Sequence, residues 1–159
     1  IMNSLYIIAF THRNFTFDEI GLFHLEDEIR IAKLKKLKID FQFDELMYLS
    51  TCNRVEFIID SSQNINSGFL KKLAANFLTN SDPKYIDSIV NKIEVFSENK
   101  AVHHLFSVAS SIDSLVVGER EIITQVRKAF EECNQNNLLG DSIKALIQIT
   151  ISTAKRVYT

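Results

Sequence analysis

Cys52 is the side chain in this 159-residue sequence best placed to act as a nucleophile. Most free cysteines behave as small buried hydrophobes. Cys52 instead sits in the polar run Thr51-Cys52-Asn53-Arg54, between the apolar stretches Leu46-Met47-Tyr48-Leu49 and Val55-Glu56-Phe57-Ile58-Ile59. A polar connection at the end of a sheet is where a rigid scaffold presents reactive groups. A cation such as Arg54 nearby favours the thiolate, the attacking form of a cysteine. The four histidines are His12, His24, His103 and His104. A lone histidine is usually structural or solvated, and His24 is read that way. His103 and His104 are neighbours on a predicted helix and point about 100° apart, so only one of them can face a given cleft. A cysteine and a histidine distant in sequence can form a nucleophile and base pair. From Asp113 to Val126, apolar Leu115-Val116-Val117 leads through Gly118 into Glu119-Arg120-Glu121 and on into helix. The segment reads either as a helix–glycine–helix joint whose acidic start suits the helix dipole or as a pocket wall that recognises an amine or hydroxyl.

These residues need elements to hold them. Only four glycines and one proline punctuate the chain, which implies long regular elements and short joints. Leu5 to Phe10 is a β-prone apolar run, and Leu46 to Ser50 and Val55 to Asp60 are two more. Thr51 to Arg54 forms the tight connection between the last two. Asp18 is a plausible cap for a short helix reaching Phe23. Ile29, Leu34 and Leu37 have helical spacing, as do Phe69, Leu70, Leu73 and Phe77. Pro83 suits the first turn of another short helix, and Ile93 and Val95 suggest a fourth strand. The order predicts an α+β fold, a split βαβ, ferredoxin-like sandwich of helices on one sheet, over residues 1–98. Residues 99–140 read as helices, and a last helix runs from Asp141 onward.

Composition bounds what this scaffold can do. A hydrophobic fraction of 46% supports a buried core. The net charge of −2 provides no strongly basic overall field, so any nucleic-acid contact must be local. Two scattered cysteines make neither a metal cluster nor a disulfide framework, and no metal is expected. They fit a reducing cytosol. No apolar run approaches the roughly 20 residues of a membrane span, and no signal peptide is read at Ile1-Met2-Asn3-Ser4. A cytoplasmic location without membrane contact is therefore expected.

Three segments resemble one family. Leu49-Ser50-Thr51-Cys52-Asn53-Arg54-Val55-Glu56 is similar to the signature of glutamyl-tRNA reductase. Ala101-Val102-His103-His104-Leu105-Phe106 with Asp113 to Glu119 resembles a second block of that family, and Ser152 to Thr159 resembles the start of its long connecting helix. Phe10-Thr11-His12-Arg13 matches more loosely. The resemblance covers essentially the whole chain in the right order. It implies an NADPH-dependent oxidoreductase that converts glutamyl-tRNA to glutamate-1-semialdehyde for tetrapyrrole (porphyrin, haem) biosynthesis. It implies Cys52 as the nucleophile, His104 as the assisting histidine, and Thr51, Asn53, Arg54, Ser114, Glu119 and Gln125 as substrate-binding residues. Arg120 and Glu121, standing where the family carries Pro-Gln, are placed with them by position. Arg54 would grip the glutamate carboxylate. Residues 141–159 would begin the connecting helix, beyond which the family carries its NADPH domain and a dimerisation domain. No G-x-G-x-x-G turn occurs here, so no cofactor-binding residue is expected in this chain. A homodimer is implied for the whole protein, with glutamate-1-semialdehyde aminomutase as a further partner. Two rivals remain: a catalytically silent aminoacyl-tRNA-binding module, and an unrelated cysteine esterase.

Overall fold

The computed structural model describes residues 3–110 and 122–158. Four strands make one antiparallel sheet: β1 (Ser4–Thr11), β2 (Glu45–Thr51), β3 (Arg54–Ser61) and β4 (Glu94–Ser97), in the spatial order β2-β3-β1-β4. Between β1 and β2 come α1 (Phe17–Gly21) and α2 (Asp27–Asp40), and between β3 and β4 come α3 (Ser67–Ala75) and α4 (Pro83–Val90). Each helix pair therefore carries the chain past one inserted strand, which is the split βαβ arrangement expected from the sequence. After β4 follow α5 (Asn99–Ala109), α6 (Ile122–Gln135) and α7 (Asp141–Tyr158).

Local chemistry sets the ends of these elements. The first helix begins two residues before the start that a cap at Asp18 implies. Thr16 caps it, with its hydroxyl accepting from Glu19 N–H at 3.2 Å while the Glu19 carboxylate accepts from Thr16 N–H at 2.9 Å. Asp82 caps α4 and Pro83 occupies its first turn. Helices α2 and α6 end in left-handed residues, Gln42 (φ 56°) and Asn137 (φ 60°), and the amides two positions beyond each helical cap reach back to Lys38 O and Cys133 O. Helix α7 takes its cap from another element. Glu45 on β2 accepts from Gly140 N–H at 2.6 Å and Ile143 N–H at 3.0 Å. A Cβ at Gly140 would lie 3.1 Å from the Glu45 side chain, so glycine permits that approach.

The sheet is covered on both faces rather than one. Alternation along β3 sends Val55, Phe57 and Ile59 one way and Arg54, Glu56 and Ile58 the other. On the first face Phe57 meets Phe10, Tyr48 and Phe77, and Phe10 stacks on Phe23 at 4.1 Å, beneath α1–α4. On the second, β3 and β4 meet α5 and α7. Helix α6 runs along β2, where Leu46 N–H donates to Leu138 O, and the Arg30–Glu132 pair (2.6 and 2.8 Å) ties it to α2. One buried cluster runs from Ile7 to Ile147, so the late helices complete the core. Among the described residues no helix is long and apolar enough to cross a membrane.

Candidate active site

The β2–β3 turn is tighter than the four-residue connection read from the sequence: Thr51 pairs with Arg54, leaving Cys52 and Asn53 as the loop. Neither residue has a positive φ, so the turn is not one of the primed types that two-residue hairpins favour. It is braced from within and from β1. Asn53 N–H donates to Thr51 Oγ1 at 3.1 Å, and Asn53 O accepts from His12 N–H at 3.1 Å. Asn53 is 1% exposed, whereas Cys52 is exposed at the point of the turn. The fold thus buries the residue after the thiol and leaves the thiol in reach. Cys133 is the opposite case. It is buried on α6, and burial pushes its thiol up to about 11.

Behind the turn lies a chain of buried charges. Arg54 Nη1 donates to Glu56 Oε2 at 2.8 Å, and the other carboxylate oxygen, Oε1, meets His104 Nε2 at 2.7 Å. Arg54 and Glu56 are each 1% exposed and His104 is 5% exposed. Burial is the largest single influence on Glu56 and opposes its ionisation. The hydrogen bond and charge of His104 and the charge and hydrogen bond of Arg54 together outweigh it, holding the carboxyl below its ordinary range. An ionised Glu56 can only accept, so Nε2 of His104 carries the proton and Nδ1 holds the lone pair when the ring is neutral. Phe96 stacks on the ring at 4.0 Å and 10°, fixing its plane. The two adjacent histidines part as helical spacing requires: His104 turns inward and His103 is exposed.

Two cavities flank this arrangement. One, of about 650 Å³, is lined by Arg13, Phe96, Lys100, His103 and His104. The other, of about 770 Å³, is lined by Phe17, Ile20, His24, Ser50, Cys52 and Asn53. Cys52 and His104 thus border different cavities among the described residues. Gln125, on α6, lines a third, of about 330 Å³, beside His24, Ser50 and Glu132. Ser114, Glu119, Arg120 and Glu121 lie outside the described residues. Arg54, read from sequence as a grip for a substrate carboxylate, has Glu56 as a buried partner.

Two residues escaped the sequence reading. Glu56 was legible in principle, because positions two apart on a strand share a face and Arg54 with Glu56 is an ion pair waiting for burial. His24 was not. Its Nδ1 meets Ser50 Oγ at 2.9 Å and its ring borders the Cys52 cavity, and both depend on how α1 folds back over β2. Among the described residues no group of three or more His, Cys, Asp or Glu side chains could hold a metal ion.

A four-stranded split βαβ sheet with an exposed cysteine on its β2–β3 hairpin defines the class of scaffold. Residues 8–159 match the family model described as "Glutamyl-tRNAGlu reductase, N-terminal domain", and the chain belongs to that family. It is 32% identical over 157 residues to a glutamyl-tRNA reductase of Campylobacter jejuni, covering 96% of this chain and 34% of that protein. It is 35% identical over 151 residues to the Campylobacter curvus protein of the same name, covering 94% and 35%. It matches the glutamyl-tRNA reductase of Methanopyrus kandleri in fold, with a TM-score of 0.75 at 24% identity, covering 99% of this chain and 35% of that one. The chain therefore spans about a third of the length of these relatives.

Proposed function

We propose that this chain performs the acyl-transfer half of glutamyl-tRNA reduction. The Cys52 sulfur attacks the carbonyl carbon of the ester joining glutamate to the terminal ribose of its tRNA. A C–S bond forms, the C–O bond to the ribose breaks, and the ribose oxygen leaves with a proton. The product is a glutamyl thioester, which accepts a hydride more readily than the oxygen ester it replaces. One observation carries this reading: the exposed thiol stands on a braced two-residue turn, directly before a buried Arg54–Glu56–His104 chain.

The role of each group follows from its placement. Thr51 and Asn53 lock the turn that aims Cys52. Arg54 sets positive charge behind it, where the substrate's carboxylate would be drawn. Glu56 fixes the His104 tautomer, so that Nδ1 is the atom able to receive or relay a proton. Ser114, Glu119, Arg120, Glu121 and Gln125 complete the substrate contacts in this proposal. Residues 1–98 and 99–140 together form the catalytic part, and residues 141–159 begin the connecting helix.

The described residues do not fit a dinucleotide. Their sheet is wholly antiparallel and so has no parallel switch point at which a nicotinamide cofactor docks. The chemistry assigned to this chain ends at the thioester. Reduction to glutamate-1-semialdehyde by NADPH, as a step toward tetrapyrroles, belongs in this reading to a further domain of a cytoplasmic homodimer. The reading is tested by paired substitution. Cys52→Ser should abolish transfer of labelled glutamate from tRNA to protein, while Cys133→Ser should leave it intact. Equal losses from both would contradict the assignment, and tRNA-independent ester hydrolysis would favour a simple esterase.

A further inference from the structure

We infer that the cavity between α1 and the hairpin point seats the 3′-terminal adenosine of the tRNA, with Phe17 as the surface on which its base stacks. The inference rests on the acyl-transfer reading and adds to it where the leaving group sits. The carbon that Sγ attacks is bonded to a ribose oxygen of that nucleoside. The nucleoside must therefore lie against a wall that includes Cys52. Among the described residues the cavity bounded by Cys52 is the one that α1 closes through Phe17, Ile20 and Gly21, and its volume of about 770 Å³ accommodates a nucleoside.

Its chemistry suits a neutral base. Among the described residues no carboxylate, lysine or arginine lines it. Phe17 is 62% exposed, an unusual position for so large an apolar ring on a small domain. Single-stranded RNA bases are recognised by stacking on such rings. The ring is also held in place, since α1 is fixed by the Thr16–Glu19 capping box and by Lys92 Nζ on the Glu19 carboxylate at 2.9 and 3.2 Å. His24, Ser50, Thr51 and Asn53 supply hydrogen-bonding groups around the rim for the ribose and the base edge. The neighbouring cavity, with Arg13, Lys100 and His103, has the opposite character and suits an anion. Among the described residues the two cavities thus differ in character, the one at Cys52 uncharged and the one at His104 cationic.

Gly21 offers a clean way to fill the cavity. A Cβ there would meet no heavy atom within 4 Å, and its backbone φ is an ordinary one for any residue. Gly21→Leu should therefore fold and occupy the nucleoside's space. The experiment compares two rates of Cys52 acylation at subsaturating substrate, one with glutamyl-tRNA and one with glutamyl p-nitrophenyl ester. In Phe17→Ala and Gly21→Leu the ratio of the first rate to the second should fall about 5- to 150-fold, the value of one base–aromatic stack. Phe17→Trp should restore it. In parallel, 5′-AMP should slow iodoacetamide alkylation of Cys52 in the unaltered chain and fail to do so in both variants. An unchanged ratio in both variants, with AMP protection intact, overturns the assignment. An unaltered chain that takes no glutamate from tRNA, yet is protected by AMP in a Phe17-dependent way, overturns the acyl-transfer reading and leaves the nucleoside pocket standing.

Discussion

The two faces of strand β3 are built from alternate residues of one short segment, yet they differ in kind. Toward α1–α4 it presents Val55, Phe57 and Ile59 to an aromatic cluster of Phe10, Phe23, Tyr48 and Phe77. Toward α5 it presents Arg54 and Glu56 to His104. The first face gains stability from area and ring packing, about 0.5–1.5 kcal/mol per aromatic pair beyond burial. The second gains little, because desolvating charges offsets most of their attraction. A protein that needed only stability would have made both faces alike. The difference sets a face of packed rings against a face of buried charge, and the proposed reading assigns the handling of a proton to the second.

Substitutions on each face should separate stability from rate. Phe57→Ala should cost about 3–5 kcal/mol in denaturant unfolding, with the folded fraction still acylating Cys52 at the original rate. His104→Ala should do the reverse, lowering the acylation rate about 10²–10⁴-fold if the histidine handles a proton, with His103→Ala nearly silent. Equal effects from the two histidines, or a normal rate in a folded His104→Ala, would dissolve the contrast between the faces.

Glu56→Gln sharpens the comparison further. It keeps the shape of the side chain but removes the charge that Arg54 and His104 share, and should cost about 1–3 kcal/mol. It should also change the response to acid. The Glu56 carboxyl is held below its ordinary range in the fold. The stability this contributes is present above the unfolded value of about 4.3 and is lost as pH falls through the lower folded value. Thermal melts from neutral pH into acid should show that loss in the original chain and a flatter acid limb in Glu56→Gln. The smallest effect is expected at the start of α1. Thr16→Ala removes one side of the α1 capping box and should cost about 1 kcal/mol.

Much of this was legible in the residues. The three longer strands, the Pro83 helix and the split βαβ order follow from apolar runs and their spacing, because period and punctuation are local properties. The Thr16–Glu19 capping box is equally local, and it stands where the sequence reading expects a cap at Asp18. Residues whose meaning depends on long-range register were harder. Glu45 looks like an ordinary strand residue until the chain brings Gly140 and Ile143 beneath it. His24 looks solvated until α1 folds over the hairpin. The second helical layer was hidden for the same reason. Amphipathic spacing in Val102, Leu105 and Val126 says that a face is buried and not what buries it. The candidate site divides in the same way. Cys52 and Arg54 announce themselves by type and neighbours, whereas the link from Glu56 to His104 exists only in three dimensions.

The central claim is that Cys52 accepts the glutamyl group from tRNA, and mass spectrometry of the intact protein tests it most directly. The chain is mixed with glutamyl-tRNA, quenched in acid to preserve a thioester, and digested. The account predicts one glutamyl group per chain on the peptide that contains Cys52, released by hydroxylamine at neutral pH and absent from Cys52→Ser. A glutamyl group on Cys133, or an unmodified Cys52 after complete deacylation of the tRNA, would contradict it.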